Sequence, residues 1–168
     1  MATHRISILG SSLVPDLSGN AYPDAYPAYA TNDTWKHLVL VHEDSGTRTG
    51  FYGTFAVPQN YVSGANLVLV WTSTATAGDV EWDYDYRAVG GNDAESLDQA
   101  AAQESVNAAD TAPSATDERM EITIALTDGN FAPGDTVEFF LARDGTDGGD
   151  TLAASVLIFE AFFEYADA

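Results

Sequence analysis

The chain has 168 residues, of which 45% are hydrophobic and 11% aromatic, a composition that fits one globular domain with a sizeable core. It has no cysteine, which excludes a disulfide framework and a thiolate metal site. Its net charge of −20 argues against binding to nucleic acid or to an anionic membrane surface. Saline surroundings, a basic or cation-decorated partner and an ordinary solvated surface are all compatible with this charge.

The N-terminal segment, residues 1–34, is predicted to be an extended arm. Between residues 10 and 34, three prolines and two glycines exclude a long helix or a central strand. Tyr22, Tyr26 and Tyr29 make the segment too aromatic for a free linker. We therefore expect an arm that docks on its own domain or reaches a neighbouring subunit.

The remainder, residues 35–168, is predicted to form one β-sandwich domain. Apolar or alternating segments are separated by turns rich in Gly, Asp, Asn and Pro, and helices do not alternate with them. The pattern indicates an all-β fold, an antiparallel β-sandwich or jelly roll. The predicted strands cover residues 36–41, 49–57, 66–73, 79–89, 120–126, 137–141 and 154–165.

One segment of this domain departs from the strand pattern. Residues 93–110 are rich in Ala, Gln, Glu and Asn, and Pro113 follows them. A short helix over residues 96–104 and a long polar loop both fit this composition.

The segment 79–89 alternates most regularly, with Val80, Trp82, Tyr84, Tyr86 and Ala88 on one face and Glu81, Asp83, Asp85 and Arg87 on the other. Carboxylates two residues apart on a strand are about 6.5–7 Å apart, which overlaps the separation found in inverting glycosidases. Those enzymes place the pair across a cleft, however. A solvated outer face, or ion pairs with Arg87 across a subunit interface, therefore explains the row better.

No other catalytic arrangement is found. The chain has neither a Gly-x-Ser-x-Gly elbow nor a cysteine nucleophile. The odd spacing of His37 and His42 points them to opposite faces of a strand, which disfavours a metal pair. Trp71 and Trp82 lie within apolar strand patterns and are expected in the core rather than on a sugar-binding platform. We therefore predict no enzyme activity, no catalytic residue and no cofactor.

The loop 143–150 has an aspartate at every third position: Asp144, Asp147 and Asp150. Clustered carboxylates suit Ca²⁺, although the spacing is not that of an EF-hand. A Ca²⁺ site and a plain Asp/Gly-rich hairpin loop both remain open here.

Several segments resemble virion proteins of tailed bacteriophages. They are Phe-Ala-Val-Pro-Gln-Asn-Tyr at 55–61, the run from Leu69 to Trp82, Gly-Asp-Thr at 134–136 and Leu-Ala-Arg-Asp at 141–144. The similar proteins are small jelly-roll modules of marine and environmental phages, used as capsid decoration (cement) proteins or tail-fibre domains. The resemblance covers roughly residues 35–165, and it carries over no functional residue.

The resemblance implies a homotrimer or other oligomer on the outer capsid surface, made in the host bacterial cytoplasm, with the major capsid protein as partner. We accordingly expect a decoration protein whose Tyr22, Tyr26 and Tyr29 contact the capsid or a neighbouring subunit. The alternative is a receptor- or glycan-binding module of a tail fibre. A third hypothesis is a small hydrolase that uses the acidic row of residues 81–85.

Overall fold

The computed structural model describes residues 1–10, 13–16, 20–26, 36–91, 93–94, 96, 98–99 and 101–168. These residues form eleven β-strands and one short 3₁₀ helix, Asp128–Asn130. None of them belongs to a helix long and apolar enough to cross a membrane. The strands are β1 (Thr3–Ser7), β2 (Val14–Pro15), β3 (Ala21–Tyr26), β4 (His37–His42), β5 (Arg48–Ala56), β6 (Ser63–Ser73), β7 (Asp79–Val89), β8 (Glu104–Thr111), β9 (Met120–Ala125), β10 (Thr136–Asp144) and β11 (Val156–Ala166).

The strands pair into two antiparallel sheets. The six-stranded sheet has the order β3-β4-β11-β6-β9, and β1 also pairs with β11. The five-stranded sheet has the order β2-β5-β10-β7-β8. The two sheets enclose one main hydrophobic core, which confirms the predicted all-β sandwich.

The core consists of the inward-facing rows of both sheets. In β7, Val80, Trp82, Tyr84 and Tyr86 are all buried, as the alternation predicts. Trp82 packs edge-on against Trp71 of β6, with ring centroids 5.8 Å apart. Both tryptophans are therefore core residues, and neither offers a surface to a sugar.

The described parts of residues 1–34 are extended and belong to the sandwich itself. β1 lies beside the end of β11, β2 lies beside β5, and β3 forms the edge of the six-stranded sheet beside β4. The edge position suits Pro23, which cannot donate a ladder hydrogen bond. Tyr29 and the predicted boundary at residue 34 lie outside the described residues.

The segment 93–110 differs from expectation. The predicted helix over residues 96–104 is absent from the part of that range that the structure describes, and a loop throughout is also wrong. β8 pairs instead with β7 in register from Asp79↔Thr111 to Tyr86↔Glu104. Ala, Asn and Asp have low strand propensity, so pairing with β7 determines this strand more than local preference does.

Candidate functional site

The outer face of the five-stranded sheet, the face turned away from the core, carries an open groove of about 720 Å³. Strands β5, β10 and β7 form its floor, and residues 99, 101 and 102 contribute to its wall. We call it the sheet groove. The side chains that give it its chemistry are Arg48, Tyr52, Asp85, Arg87, Glu138 and Phe140.

An aromatic pair lies on the floor of the sheet groove. Tyr52 and Phe140 are direct partners in the β5–β10 register. Their ring centroids are 4.4 Å apart and the ring planes differ by 31°. Tyr52 is 50% exposed whereas Phe140 is only 8% exposed. Phe140 therefore supports Tyr52 from one side and leaves the tyrosine ring available to a ligand.

A glycine makes room for this pair. A Cβ at Gly50 would lie 2.7 Å from Cζ of Phe140 and 2.8 Å from Cβ of Ala142. It would also lie 2.5 Å from the carbonyl oxygen of Leu141, which belongs to the neighbouring strand and cannot move away easily. The small residues Gly50 and Ala142 thus allow the Phe140 ring to settle over the sheet.

Arg48 spans the groove above Phe140. Its Nε lies 2.7 Å from Oδ2 of Asp83, and its Nη2 lies 2.8 Å from Oδ2 of Asp85. Its guanidinium carbon lies 4.9 Å from the centroid of Phe140, within cation–π distance. Burial lowers the pKa of Arg48, but the interactions with Asp85 and Asp83 outweigh burial, and the pKa lies above its ordinary value.

A second ion pair lies along the same face. Nε of Arg87 donates to Oε2 of Glu138 at 2.6 Å, and Nη1 of Arg87 donates to the carbonyl oxygen of Ser96 at 2.9 Å. Arg87 thus links β7 and β10 to the segment that follows β7. The groove therefore presents charged groups in fixed positions on both sides of its aromatic floor.

The acidic row of β7 lies on this outer face, as predicted, but it is not simply solvated. Asp83 is only 6% exposed and accepts a hydrogen bond from Nδ2 of Asn107 as well as its ion pair with Arg48. Burial raises the pKa of Asp83 more than Arg48 lowers it. Burial, followed by the charges of Asp147 and Asp150, also raises the pKa of Glu81. Because Arg48 holds both Asp83 and Asp85, this pair is not arranged around a space for substrate and water.

The aspartates of the 143–150 loop serve the loop and the core. Asp144 accepts hydrogen bonds from N and Oγ1 of Thr146 at 2.9 and 2.6 Å, and Asp147 accepts one from N of Gly149 at 2.7 Å. Asp150 forms two hydrogen bonds with the fully buried Arg143, at 2.8 and 2.6 Å. Among the residues that the structure describes, no group of three or more His, Asp or Glu side chains is placed to hold a metal ion. The hairpin-loop interpretation accounts for these contacts.

Tyr22 and Tyr26, two of the tyrosines predicted to form an interface, lie on the six-stranded sheet, away from the sheet groove. Tyr22 is 41% exposed on the edge strand β3. Tyr26 lies on the same strand, and its hydroxyl donates to Asp117.

The two histidines of β4 differ in burial. His37 is exposed, whereas His42 is buried against Phe51, which agrees with the predicted opposite orientation.

Sequence reasoning singled out Asp85 and Arg87 but missed the other residues of the sheet groove, which are Arg48, Tyr52, Glu138 and Phe140. Tyr52 and Phe140 occupy the outward phase of strands whose inward phase is also aromatic, so the alternation alone does not distinguish them. The adjacent pair Phe139-Phe140 is the available signal, because neighbouring strand residues point to opposite faces. Gly50, a glycine inside a predicted strand, is a second signal of close packing.

Comparison with known proteins yields similarity of structure alone. No protein-family model matches the chain, and no curated protein matches its sequence. The family 11 carbohydrate-binding module of a Clostridium thermocellum cellulosomal cellulase superposes with a TM-score of 0.52 at 7% identity, covering 98% of this chain and 95% of that one. A family 35 carbohydrate-binding module from the same organism gives 0.51 at 13% identity, covering 98% and 99%.

A bacterial adhesin domain is also similar in structure. The K1 cleaved adhesin domain of Lys-gingipain from Porphyromonas gingivalis gives a TM-score of 0.50 at 15% identity and covers 99% of both chains. At these identities the similarity establishes the fold, which is the jelly-roll β-sandwich of such modules.

Proposed function

We propose that the protein is a non-catalytic glycan-binding module that holds its ligand in the sheet groove. The observation that carries the proposal is the half-exposed ring of Tyr52, backed by Phe140, on the floor of an open groove. One face of a sugar ring is lined by C–H groups and packs well on an aromatic ring, through the same dispersion and apolar burial that operate in protein cores.

The charged pairs beside the platform supply the polar part of such a site. Arg48 with Asp85, and Arg87 with Glu138, present fixed donors and acceptors. Sugar hydroxyl groups both donate and accept hydrogen bonds. A neutral hydroxyl can therefore donate to the carboxylate and accept from the guanidinium of such a pair. Sites for small ligands usually combine an apolar floor with a few oriented polar groups.

The charge of the site selects among glycans. Both arginines of the sheet groove are paired with carboxylates, and the chain as a whole carries −20. A polyanionic glycan would be repelled, because no unpaired cation among these groove residues offsets the overall field. The expected ligands are therefore neutral oligosaccharides or amino sugars.

The structural similarity to carbohydrate-binding modules supports this proposal as an analogy of fold. It does not specify a ligand, since the identities are 7% and 13%. The argument for a glycan site in this chain therefore depends on the side chains of the sheet groove.

The test is a glycan array, followed by calorimetric titration of the strongest neutral ligand. Tyr52→Ala should weaken binding roughly five- to thirtyfold, because one stacked ring contributes on the order of 1–2 kcal/mol. Tyr22→Ala removes another exposed tyrosine, on the opposite sheet, and should leave the affinity unchanged. Absence of binding to every glycan, or equal weakening by both variants, would contradict the proposal.

A phage virion role is a second proposal, favoured by an exposed sheet edge. Leu38 is 75% exposed on β4, and Tyr22 is exposed on the adjacent edge strand β3. A sheet edge with exposed apolar side chains on its last two strands suits contacts with another subunit or with a major capsid protein. Since β1 and β3 pair within the sandwich, deleting residues 1–30 would also remove paired strands, and the double variant Tyr22→Ala/Leu38→Ser is the cleaner test. Loss of oligomerisation or of capsid binding would support this role, and unchanged assembly would contradict it.

A further inference from the structure

A second groove lies on the outer face of the six-stranded sheet, on the opposite side of the sandwich from the sheet groove. Its volume is about 470 Å³. We call it the aromatic groove, and its principal lining residues are Tyr26, His37, Asp117, Phe159, Glu160 and Phe162. We propose that it binds an ammonium group carrying alkyl substituents, such as a quaternary ammonium or a methylated amine. This proposal is independent of glycan binding in the sheet groove.

The rings of the aromatic groove meet at large angles. Phe159 and Tyr26 have centroids 6.0 Å apart and planes inclined at 72°, and Phe159 and His37 have centroids 5.4 Å apart and planes inclined at 90°. Rings set nearly perpendicular to one another form adjacent walls of a box. Such walls bind alkylammonium groups, because the negative ring faces attract the cation while the alkyl groups fill the apolar space.

One wall of the aromatic groove already faces a cation on the protein. The guanidinium carbon of Arg5 lies 5.9 Å from the centroid of Phe162. Arg5 is itself held by ion pairs with Glu121 and Glu164, at 2.9 and 2.8 Å. The immediate surroundings of these rings therefore tolerate positive charge.

Two backbone irregularities converge on this groove. The β6–β11 register shifts between Ile158 and Glu160, a β-bulge at Phe159. Asp117, which also lines the groove, has a φ of 69°, the only positive φ at a non-glycine residue in the described part of the chain. Bulges re-aim side chains, and left-handed backbone at such residues costs energy, so both features are frequent at binding sites.

The electrostatics of the groove favour a cation. Asp117 and Glu160 contribute carboxylates to its lining. The arginine in the lining, Arg119, has its Nη2 2.8 Å from a carboxylate oxygen of Glu121. With the overall charge of −20, a positively charged ligand is attracted to this face and an anionic one is repelled.

The experiment uses choline chloride as the probe, at constant ionic strength maintained with sodium chloride. Binding to the full chain is followed by amide chemical shifts in ¹H–¹⁵N NMR. The neutral carbon analogue 3,3-dimethylbutan-1-ol, which has the same shape without the charge, is titrated in parallel. We expect saturable shifts near Phe159 and Asp117 with choline, and an affinity for the neutral analogue that is about tenfold weaker.

Variants separate the ring contribution from the charge contribution. Phe159→Leu keeps an apolar side chain without the ring, and Asp117→Asn keeps a residue that tolerates positive φ without the charge. Each should weaken choline binding several-fold, while Tyr52→Ala in the sheet groove should leave it unchanged. If Phe159→Leu fails to fold, Asp117→Asn still provides the test.

Three outcomes would overturn the proposal. They are a linear, non-saturating choline titration, equal affinity for choline and its neutral analogue, and shifts that map to the sheet groove. Because the glycan test relies on Tyr52 and this test on Phe159 and Asp117, either proposal can fail without the other.

Discussion

The guanidinium carbon of Arg48 lies 4.9 Å from the centroid of Phe140, while the same group forms ion pairs with Asp83 and Asp85. One side chain thus joins the aromatic floor of the sheet groove to the acidic row of β7. Fixed on both sides, it presents hydrogen-bond donors in a constant position. The groove is therefore preorganised, so the protein loses less conformational entropy when a ligand binds.

Removing Arg48 should weaken the fold as well as the sheet groove. Arg48→Gln leaves the 6% exposed Asp83 without its counter-charge, and we expect the free energy of unfolding to fall by about 1–3 kcal/mol at neutral pH. Without Arg48 the pKa of Asp83 rises further, so the deficit should shrink as the pH falls and the carboxyl is protonated. Urea unfolding at neutral and mildly acidic pH measures both effects.

The double variant Arg48→Gln/Asp83→Asn is the matched control for that experiment. It should recover part of the stability, because the uncompensated charge is gone. Arg119→Gln, at an exposed ion pair, should cost less than about 1 kcal/mol. A deficit equal to that of Arg48→Gln in either of these variants would contradict a specific role for Arg48.

Gly50→Ala should damage the aromatic platform. The added methyl group would lie 2.5 Å from the Leu141 carbonyl oxygen and 2.7 Å from the Phe140 ring, so the strands or the ring must shift. We expect a loss of about 1–3 kcal/mol in unfolding free energy together with weaker glycan binding. Gly46→Ala is the matched control, since a Cβ there meets nothing within 4 Å. Similar effects at both positions would show that close packing at Gly50 is not the cause.

His42 should make stability depend on pH between about 6.5 and 4. It is fully buried, its Nδ1 lies 2.8 Å from the carbonyl oxygen of Thr49, and burial lowers its pKa to about 4. The unfolded chain therefore binds a proton at this group more readily than the folded chain. Its contribution is complete above about pH 6.5 and is lost as the pH falls towards 4, amounting to about 3 kcal/mol over that range.

The measurement compares wild type with His42→Gln by denaturant unfolding across that pH range. The variant should be less stable at neutral pH and should show a smaller decline on acidification. Parallel curves for the two proteins would mean that His42 does not contribute to the acid sensitivity.

Glu104 should tie β8 to the 3₁₀ helix. Its carboxylate accepts hydrogen bonds from N and Oγ1 of Thr127 at 3.1 and 2.8 Å, from Nδ2 of Asn130 at 3.0 Å, and from the hydroxyl of Tyr86. Burial raises the pKa of Glu104, but these hydrogen bonds outweigh burial and the pKa lies below its ordinary value. Glu104→Ala should therefore cost about 1–3 kcal/mol at neutral pH and less as acid protonates the wild-type carboxylate.

Ser105→Ala is the control for Glu104→Ala, because Ser105 is the adjacent, exposed residue of the same strand. It should change the unfolding free energy by less than about 0.5 kcal/mol. Amide hydrogen exchange in β8 and in residues 127–130 should accelerate in Glu104→Ala alone. Unchanged protection there would contradict the link.

The architecture follows from the sequence wherever one physical pattern dominates. In β7 the alternation from Val80 to Tyr86 predicts both the strand and its buried face. In β8 it does not, because Ala108 and Asn107 are weak strand formers and the partner strand supplies the decisive hydrogen bonds. Local preference therefore predicts strands in apolar segments and misses the polar strand at the sheet edge.

The candidate site was harder to predict for a related reason. The alternation predicts Asp83 and Asp85 as a row on one face, but Arg48 comes from a strand far away in sequence, and only the β5–β10–β7 order brings them together. The nearness of Tyr52 to Phe140 likewise depends on strand register. Sequence shows which faces carry these groups, and topology determines which of them meet.

The pairing of β1 with β11 brings residues 2 and 167 together. Thr3 lies opposite Ala166, N of Ala2 donates to Oδ1 of Asp167 at 2.9 Å, and N of Asp167 donates to the carbonyl oxygen of Ala2 at 3.1 Å. Because these two residues lie side by side, a domain bounded by them can be inserted into a loop of a host protein without stretching either junction. The same proximity also allows circular permutation, with a short linker across Ala2 and Asp167 and a new opening at an exposed turn such as the one containing Gly148.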